Sequence, residues 1–251
     1  MRILLLSDIH SNLEALEACL AAAPPSDATV NLGDIVGYGA SPNEVTERAR
    51  GLGGIFVRGN HDKVVAGIDS VDNFNPIAGV AALWNRQQID SKHLSWLRDL
   101  PKGPVRMNEL AGVKYVHGAP DDEDRYVVTP EDASSLLTTF AAGITFFGHT
   151  HIQGAFHLQG DVVRAVHPTY TTVAKQETWN LTVSEGLNYM INPGSIGQPR
   201  DGDWRAAFAV FDSEQRIVTF FRVPYDIRAA QEKILSAGLP ARLATRLAAG
   251  R

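Results

Sequence analysis

The stretch Ile3–Asn12 reads ILLLSDIHSN, and its form limits what the rest of the chain can be. Four apolar residues, Ile3–Leu6, are too few for a helix and show no polar alternation, so they read as a strand buried on both faces, as in a parallel sheet. Ser7–Asn12 is then the loop at the strand's C-terminal end, where open α/β sheets place their ligands. There Asp8 and His10 offer an oxygen and a nitrogen to one hard-to-borderline cation. Such a pair arises by chance in many chains, and its weight comes from four later strand ends that carry matching residues.

Leu13, Leu16 and Leu20 recur at helical spacing, which predicts a helix over Leu13–Ala23, stopped by Pro24-Pro25. A strand over Ala28–Leu32 ends in Gly33-Asp34. Ser41-Pro42 then has the form of an N-cap and first helical residue, opening a helix to about Leu52. A third strand, Gly54–Val57, ends in Arg58-Gly59-Asn60-His61-Asp62. This β-α-β-α-β order implies a right-handed parallel sheet. Asn75–Leu100 is helical in pattern, with Trp84 and Trp96 read as core residues. A strand over Val113–Val116 ends in His117-Gly118, Thr129-Pro130-Glu131 opens a helix to about Thr139, and a strand over Ile144–Phe147 ends in Gly148-His149-Thr150-His151. From Ala155 onward, short alternating runs predict an antiparallel meander that forms a second sheet, and Asp226–Arg251 returns to helical spacing.

A chain of 251 residues fits one large α/β domain spanning 1–251. Its net charge of -5 argues against a general nucleic-acid surface, so any phosphate must be attracted locally. The N-terminal apolar run is broken by Asp8 before a signal-peptide core of about 7–15 residues can form, and no stretch has the length of a membrane span. Cys19 is the one cysteine and lies on the apolar side of a helical pattern, which leaves neither a disulfide nor a thiolate metal site. The expected location is cytoplasmic.

The strand ends together supply Asp8, His10, Asp34, Asn60, His61, Asp62, His117, His149 and His151, five of the chain's eight histidines among them. An isolated loop histidine is ordinarily a cap or a solvated residue. Five in register with two aspartates are not explained that way. Imidazole, carboxylate and one amide oxygen suit Mn, Fe, Zn or Ni better than calcium.

The series D-x-H, G-D, G-N-H-D, H-G and G-H-T-H, in that order, resembles the calcineurin-like metallophosphoesterase superfamily, and the match spans Ile3 to Asp203. The resemblance implies a two-sheet α/β sandwich flanked by helices and two divalent metal ions per chain, with manganese the ion to try first in vitro. It implies that Asp8, His10 and His151 hold one ion, that Asn60, His117 and His149 hold the other, and that Asp34 bridges them. His61 would meet the phosphoryl group and the leaving oxygen, with Asp62 orienting it and raising its pKa. These roles are chemically coherent, since two divalent ions about 4 Å apart can aim a bridging hydroxide in line at phosphorus and neutralise the developing charge.

Protein phosphatases of this superfamily read G-D-x-V-D-R-G at the second motif, and their arginine binds phosphate. Here Gly33–Gly39 reads GDIVGYG, with Tyr38 at that position. A dianionic monoester would miss a bidentate partner that a monoanionic diester needs less, which favours a small phosphodiester substrate. Asn192–Asp203 reads NPGSIGQPRDGD and resembles a block of small prokaryotic phosphoesterases, some of them diadenosine tetraphosphatase-like. Arg200 in this block is either a contact for substrate at the site's mouth or a partner of Asp201 or Asp203, the pairing being the plainer expectation. The alternatives within enzymes are a nucleotide pyrophosphatase, with Tyr38, Phe74 or Trp204 stacking on a base, and a phosphomonoesterase or protein phosphatase. A scaffold without chemistry is disfavoured because every ligand and the proton donor are retained. Nothing in the sequence fixes the oligomeric state, and 161–186 carries no recognisable motif.

Overall fold

The computed structural model describes residues 1–139 and 143–251. In chain order the elements are β1 (Arg2–Leu6), α1 (Leu13–Ala22), β2 (Ala28–Asn31), α2 (Pro42–Leu52), β3 (Ile55–Phe56), α3 (Asn60–Ala66), α4 (Pro76–Gln88), α5 (Ser91–Arg98), β4 (Val113–Tyr115) and α6 (Pro130–Thr139). They continue as β5 (Ile144–Phe146), β6 (Gly154–Gln159), β7 (Val162–Val166), β8 (Glu177–Thr182), β9 (Asn188–Asn192), β10 (Ala206–Asp212), β11 (Ile217–Val223), α7 (Ile227–Ser236) and α8 (Ala241–Ala249).

The strands form two sheets, ordered β3-β2-β1-β10-β11-β8 and β4-β5-β9-β6-β7. Side chains on a strand alternate between its faces, and β1 shows what that does here. Ile3 and Leu5 point into an inter-sheet core with Val30, Tyr115, Phe146, Ile191 and Phe220, whereas Leu4 and Leu6 point outward to a core shared with α1, α2, α4, α7 and α8. A third cluster, including Leu136, Leu137, Phe147 and Met190, packs α6 on the outer face of the second sheet. The result is the two-sheet α/β sandwich flanked by helices that the sequence implied. Among the described residues no helix is long and apolar enough to cross a membrane.

Three details differ from expectation. The C-terminal strands do not make a sheet of their own. β6, β7 and β9 complete the second sheet, while β8, β10 and β11 extend the first, with β10 pairing antiparallel to β1. Alternation signals a strand but not its partner, and β10 covers an edge of β1 that would otherwise expose backbone between apolar faces. The helical pattern over Asn75–Leu100 is broken at Ile89-Asp90, where Asn43 holds the break by donating to Gln88 O (2.9 Å) and accepting from Asp90 N (2.7 Å). The run Asn60-His61-Asp62 that ends the third strand opens a helix, α3, two residues before Asp62.

Arg200 is not the partner of Asp201 or Asp203. Two other arginines take those carboxylates: Arg222 of β11 pairs with Asp201, and the fully buried Arg205, two residues beyond Asp203, pairs with it at 2.5 Å and with Glu177 at 3.3 Å. Replacing Asp203 by alanine leaves the buried guanidinium with Glu177 and the Lys175 carbonyl alone. The expected loss of unfolding free energy in urea is about 3 kcal/mol, the lower end for a broken buried pair.

Candidate metal centre and cavity

The polar loops lie together because their strands end on one side of the two sheets. Asp8 and His10 follow β1, Asp34 follows β2, Asn60 opens α3, His117 follows β4, and His149 and His151 follow β5. The chain is bent sharply there: Asp8, His10, Ser11, Asp34, Tyr38, His149 and His151 all have φ between 49 and 66°. Among the described non-glycine residues only Arg216 shares this conformation away from the site. Each such residue costs about 1–3 kcal/mol and persists only where the surroundings enforce it, a pattern typical of functional sites.

Two donor groups result, Asp8, His10, Asp34 and His151 in one and Asp34, His117 and His149 in the other, all of them buried. Asp34 is common to both, and its Oδ2 lies 3.5 Å from His10 Nε2 and 3.5 Å from His117 Nε2. Asp8 Oδ1 lies 3.1 Å from His151 Nε2. Asn60 Oδ1 lies 3.3 Å from His117 Nε2, beside the second group.

The histidine tautomers test whether these groups suit a cation. A carbonyl only accepts, so the ring nitrogen facing it must carry the proton. His10 Nδ1 donates to Val36 O (3.1 Å), His151 Nδ1 to Gln198 O (2.6 Å), His117 Nδ1 to Leu32 O (2.8 Å) and His149 Nε2 to Asp124 O (3.0 Å). In the neutral rings the remaining nitrogens are lone pairs, and they face one another: His10 Nε2 and His151 Nε2 at 3.1 Å, His117 Nε2 and His149 Nδ1 at 3.1 Å. Paired lone pairs beside buried carboxylates repel unless positive charge lies between them, and the backbone carbonyls are the outer partners that orient metal-bound histidines. Burial works against a charged His117 ring, yet Asp34 and Asp8 raise its pKa to about 10, so the buried carboxylates draw positive charge to this place, a second proton on His117 or a metal ion. The donor set therefore fits divalent ions.

His61 and Asp62 sit on α3 and do not touch as expected. The Asp62 carboxylate accepts four backbone N–H groups, from Asp34 (2.8 Å), Ile35 (2.9 Å), Val36 (3.2 Å) and Gly59 (2.9 Å). It thus fixes the loop that carries Asp34 and closes the first turn of α3, and it does not orient the His61 ring. Nor is His61 raised in pKa. Burial lowers it to about 4, Asp34 opposing and Arg200 adding to the effect. The His61 backbone N–H donates to Asp34 Oδ1 (2.8 Å), and its ring lies against His10, Tyr38 and Phe74, with centroids 4.8, 4.3 and 4.5 Å away.

A cavity of about 370 Å³ opens beside both donor groups and is lined by His61, Tyr38, Phe74, Tyr126 and Arg200 among others. Two buried side-chain nitrogens without a hydrogen-bond partner, His61 Nδ1 and Arg200 Nε, belong to its wall. Arg200 Nη2 donates to Tyr38 Oη (3.2 Å) and Gln198 Oε1 (3.3 Å). Arg58 is held by Glu123 through two bonds of 2.9 Å, and Trp204 packs on Tyr225, so neither lines this space. Tyr126, whose ring lies 3.9 Å from that of His149, escaped the sequence reading because no spacing links it to a strand end.

Gly37 backs the His61 ring. A Cβ there would lie 2.3 Å from His61 Nδ1, at a backbone φ of +96°. Gly37→Ala should therefore lower turnover while leaving metal content unchanged, which parallel activity and elemental assays would read.

The sequence model of the calcineurin-like phosphoesterase family matches residues 1–153. An uncharacterised protein of Methanocaldococcus jannaschii is 36% identical over 253 aligned positions, covering 99% of this chain and 98% of that one. The crystal structure of a metallophosphoesterase from Sphaerobacter thermophilus is 40% identical and superposes with a TM-score of 0.84, covering 100% of this chain and 99% of that one. A hypothetical protein from Pyrococcus horikoshii shares the fold at 20% identity, with a TM-score of 0.79 over 100% of this chain and 98% of its own.

Proposed function

The chain belongs to the calcineurin-like phosphoesterase family, and on that premise we propose that it is a binuclear metal-dependent hydrolase of phosphodiesters. The observation that carries this reading is the pair of buried donor groups sharing Asp34, each with facing histidine lone pairs. Asp8, His10 and His151 would hold one ion and Asn60, His117 and His149 the other. Bound divalent ions would supply Lewis acidity toward the phosphoryl oxygens and lower the pKa of a water that attacks phosphorus.

The chain's own residues do the rest. The carbonyls of Val36, Gln198, Leu32 and Asp124 keep four imidazoles in one tautomer, so no reorganisation is needed when the site is used. The His61 ring lines the cavity with Nδ1 packed against Gly37, and it is placed to hydrogen-bond the phosphoryl group and, once that anion offsets the burial that keeps the ring neutral, to give a proton to the departing alkoxide. Asp62 holds the loop that positions Asp34 against both groups. Tyr38 occupies the place of a phosphate-binding arginine, and a monoanionic diester tolerates that loss better than a dianionic monoester.

Arg200 favours a second reading. It brings a guanidinium to the same cavity from the far side of Tyr38's hydroxyl and could anchor a monoester instead. The rates of an aryl phosphodiester and the matching monoester, on protein stripped and reloaded with manganese, separate the two. A diester to monoester ratio well above one is expected. A ratio well below one would put monoesters first, with Arg200 as their anchor.

A further inference from the structure

A second cavity, of about 590 Å³, lies next to the first and shares Asn75 with it. Its other lining residues are Pro76, Ile77, Arg242, Arg246 and Arg251, with no acidic side chain among them. Arg246 also reaches toward the metal centre: its guanidinium carbon lies 5.7 Å from the centroid of the Tyr38 ring, and that of Arg200 lies 5.8 Å from the same ring. Four arginines thus extend from the first cavity into the second, and Tyr38 is a shared platform for two of them, Arg200 and Arg246.

None of the four pairs with an acidic side chain among the described residues, whereas Arg58, Arg205 and Arg222 each do. Arg246 Nε is held by the main-chain oxygen of Arg251. The acids that line the first cavity are engaged, since Asp69 and Asp124 both pair with Lys63 and Asp34 belongs to the donor groups. In a chain of net charge -5 this is a local concentration of positive charge, met only by the main-chain carboxyl oxygen of Arg251. Burial, and then the nearby Arg200, lowers the Arg246 pKa below its ordinary value, as expected of like charges gathered without an acidic side chain. The N-terminal end of the 13-residue helix α4, capped by Asn75, adds its positive dipole at the same place.

We propose that this arginine cleft is a second anion subsite, which takes a phosphoryl or other anionic group on the substrate distal to the ester cleaved at the metal centre. The claim rests on the hydrolase reading for the word substrate, but not for the binding of anion. The substrate class is accordingly narrowed to polyanions whose second charged group lies beyond the scissile bond. Tyr38 then has a role that explains its place in the second motif: it supports the guanidinium groups that bind the far end, where an arginine would have bound the near one.

Calorimetric titration of inorganic tripolyphosphate into metal-free protein at low salt tests the subsite without any turnover. Wild-type protein should bind it, and the double variant Arg242→Gln, Arg246→Gln should bind it at least about tenfold more weakly, the loss expected when a charge-assisted hydrogen bond goes. Arg242 is exposed on α8, so Arg242→Glu alone tests the charge without disturbing packing and should weaken binding similarly. Equal binding by wild type and both variants, or none by wild type, overturns the proposal. On manganese-loaded protein, an aryl diester carrying a terminal phosphate on its other arm should exceed the plain diester in kcat/KM, and the double variant should remove that excess through KM. If the tripolyphosphate result holds while neither diester is hydrolysed, the hydrolase reading fails and the anion site stands. An equal fall for both diesters in the double variant would contradict the subsite.

Discussion

Replacing Asp34 by alanine should empty both halves of the metal centre and lower turnover by more than about 10³-fold, beyond the 10–100-fold typical of losing an outer partner. The expectation follows from position. One Asp34 oxygen lies 3.5 Å from a histidine nitrogen of each donor group, so no other residue can take over the shared place. Asp34→Asn should behave similarly, because an amide offers one oxygen and no charge to two cations. Elemental analysis of stripped and reloaded protein reads the metal content, and circular dichroism confirms that the fold is kept. Retention of two ions per chain by the alanine variant would mean that the two groups do not share a ligand.

The His61→Ala variant should show the opposite pattern. It should keep the metals of the wild type and lose about 10²–10⁴-fold in turnover, the usual contribution of a positioned proton donor. The ring makes its contacts with Tyr38, Phe74 and His10 and packs its unpartnered Nδ1 against Gly37, so its removal takes nothing from either donor group. The loss should be smaller for a diester whose leaving group needs no proton, such as 4-nitrophenolate, than for an alkyl leaving group. A variant that lost an ion instead would show His61 to be a ligand.

Much of this was legible because the fold is written in short apolar runs. Ile3–Leu6, Ala28–Leu32, Val113–Val116 and Ile144–Phe147 are buried strands, and the residues that end them are the donors that meet. What could not be read depends on partners far away in sequence. Alternation marked β8, β10 and β11 as strands, but only packing decides that they extend the first sheet. Asp62 could be read as orienting His61 or as a helix cap, and it is the cap that forms, with the backbone N–H groups of the distant Asp34 loop as further partners that no local pattern signals. Arg200 was expected to pair locally, but Arg222 of the distant β11 takes Asp201 and Arg205 takes Asp203, which leaves Arg200 facing the cavity. The left-handed backbone of Asp8, His10 and Asp34 had no signal either, since a non-glycine residue adopts it only where its surroundings compel it.

The central claim, two cations bridged by Asp34 in a phosphoesterase site, is tested most directly by electron paramagnetic resonance of stripped protein titrated with manganese while hydrolysis of an aryl phosphodiester is followed. The prediction is uptake of two ions per chain, an exchange-coupled multiline spectrum, and activity that rises with the coupled species. A single six-line spectrum of isolated manganese at full activity would contradict it.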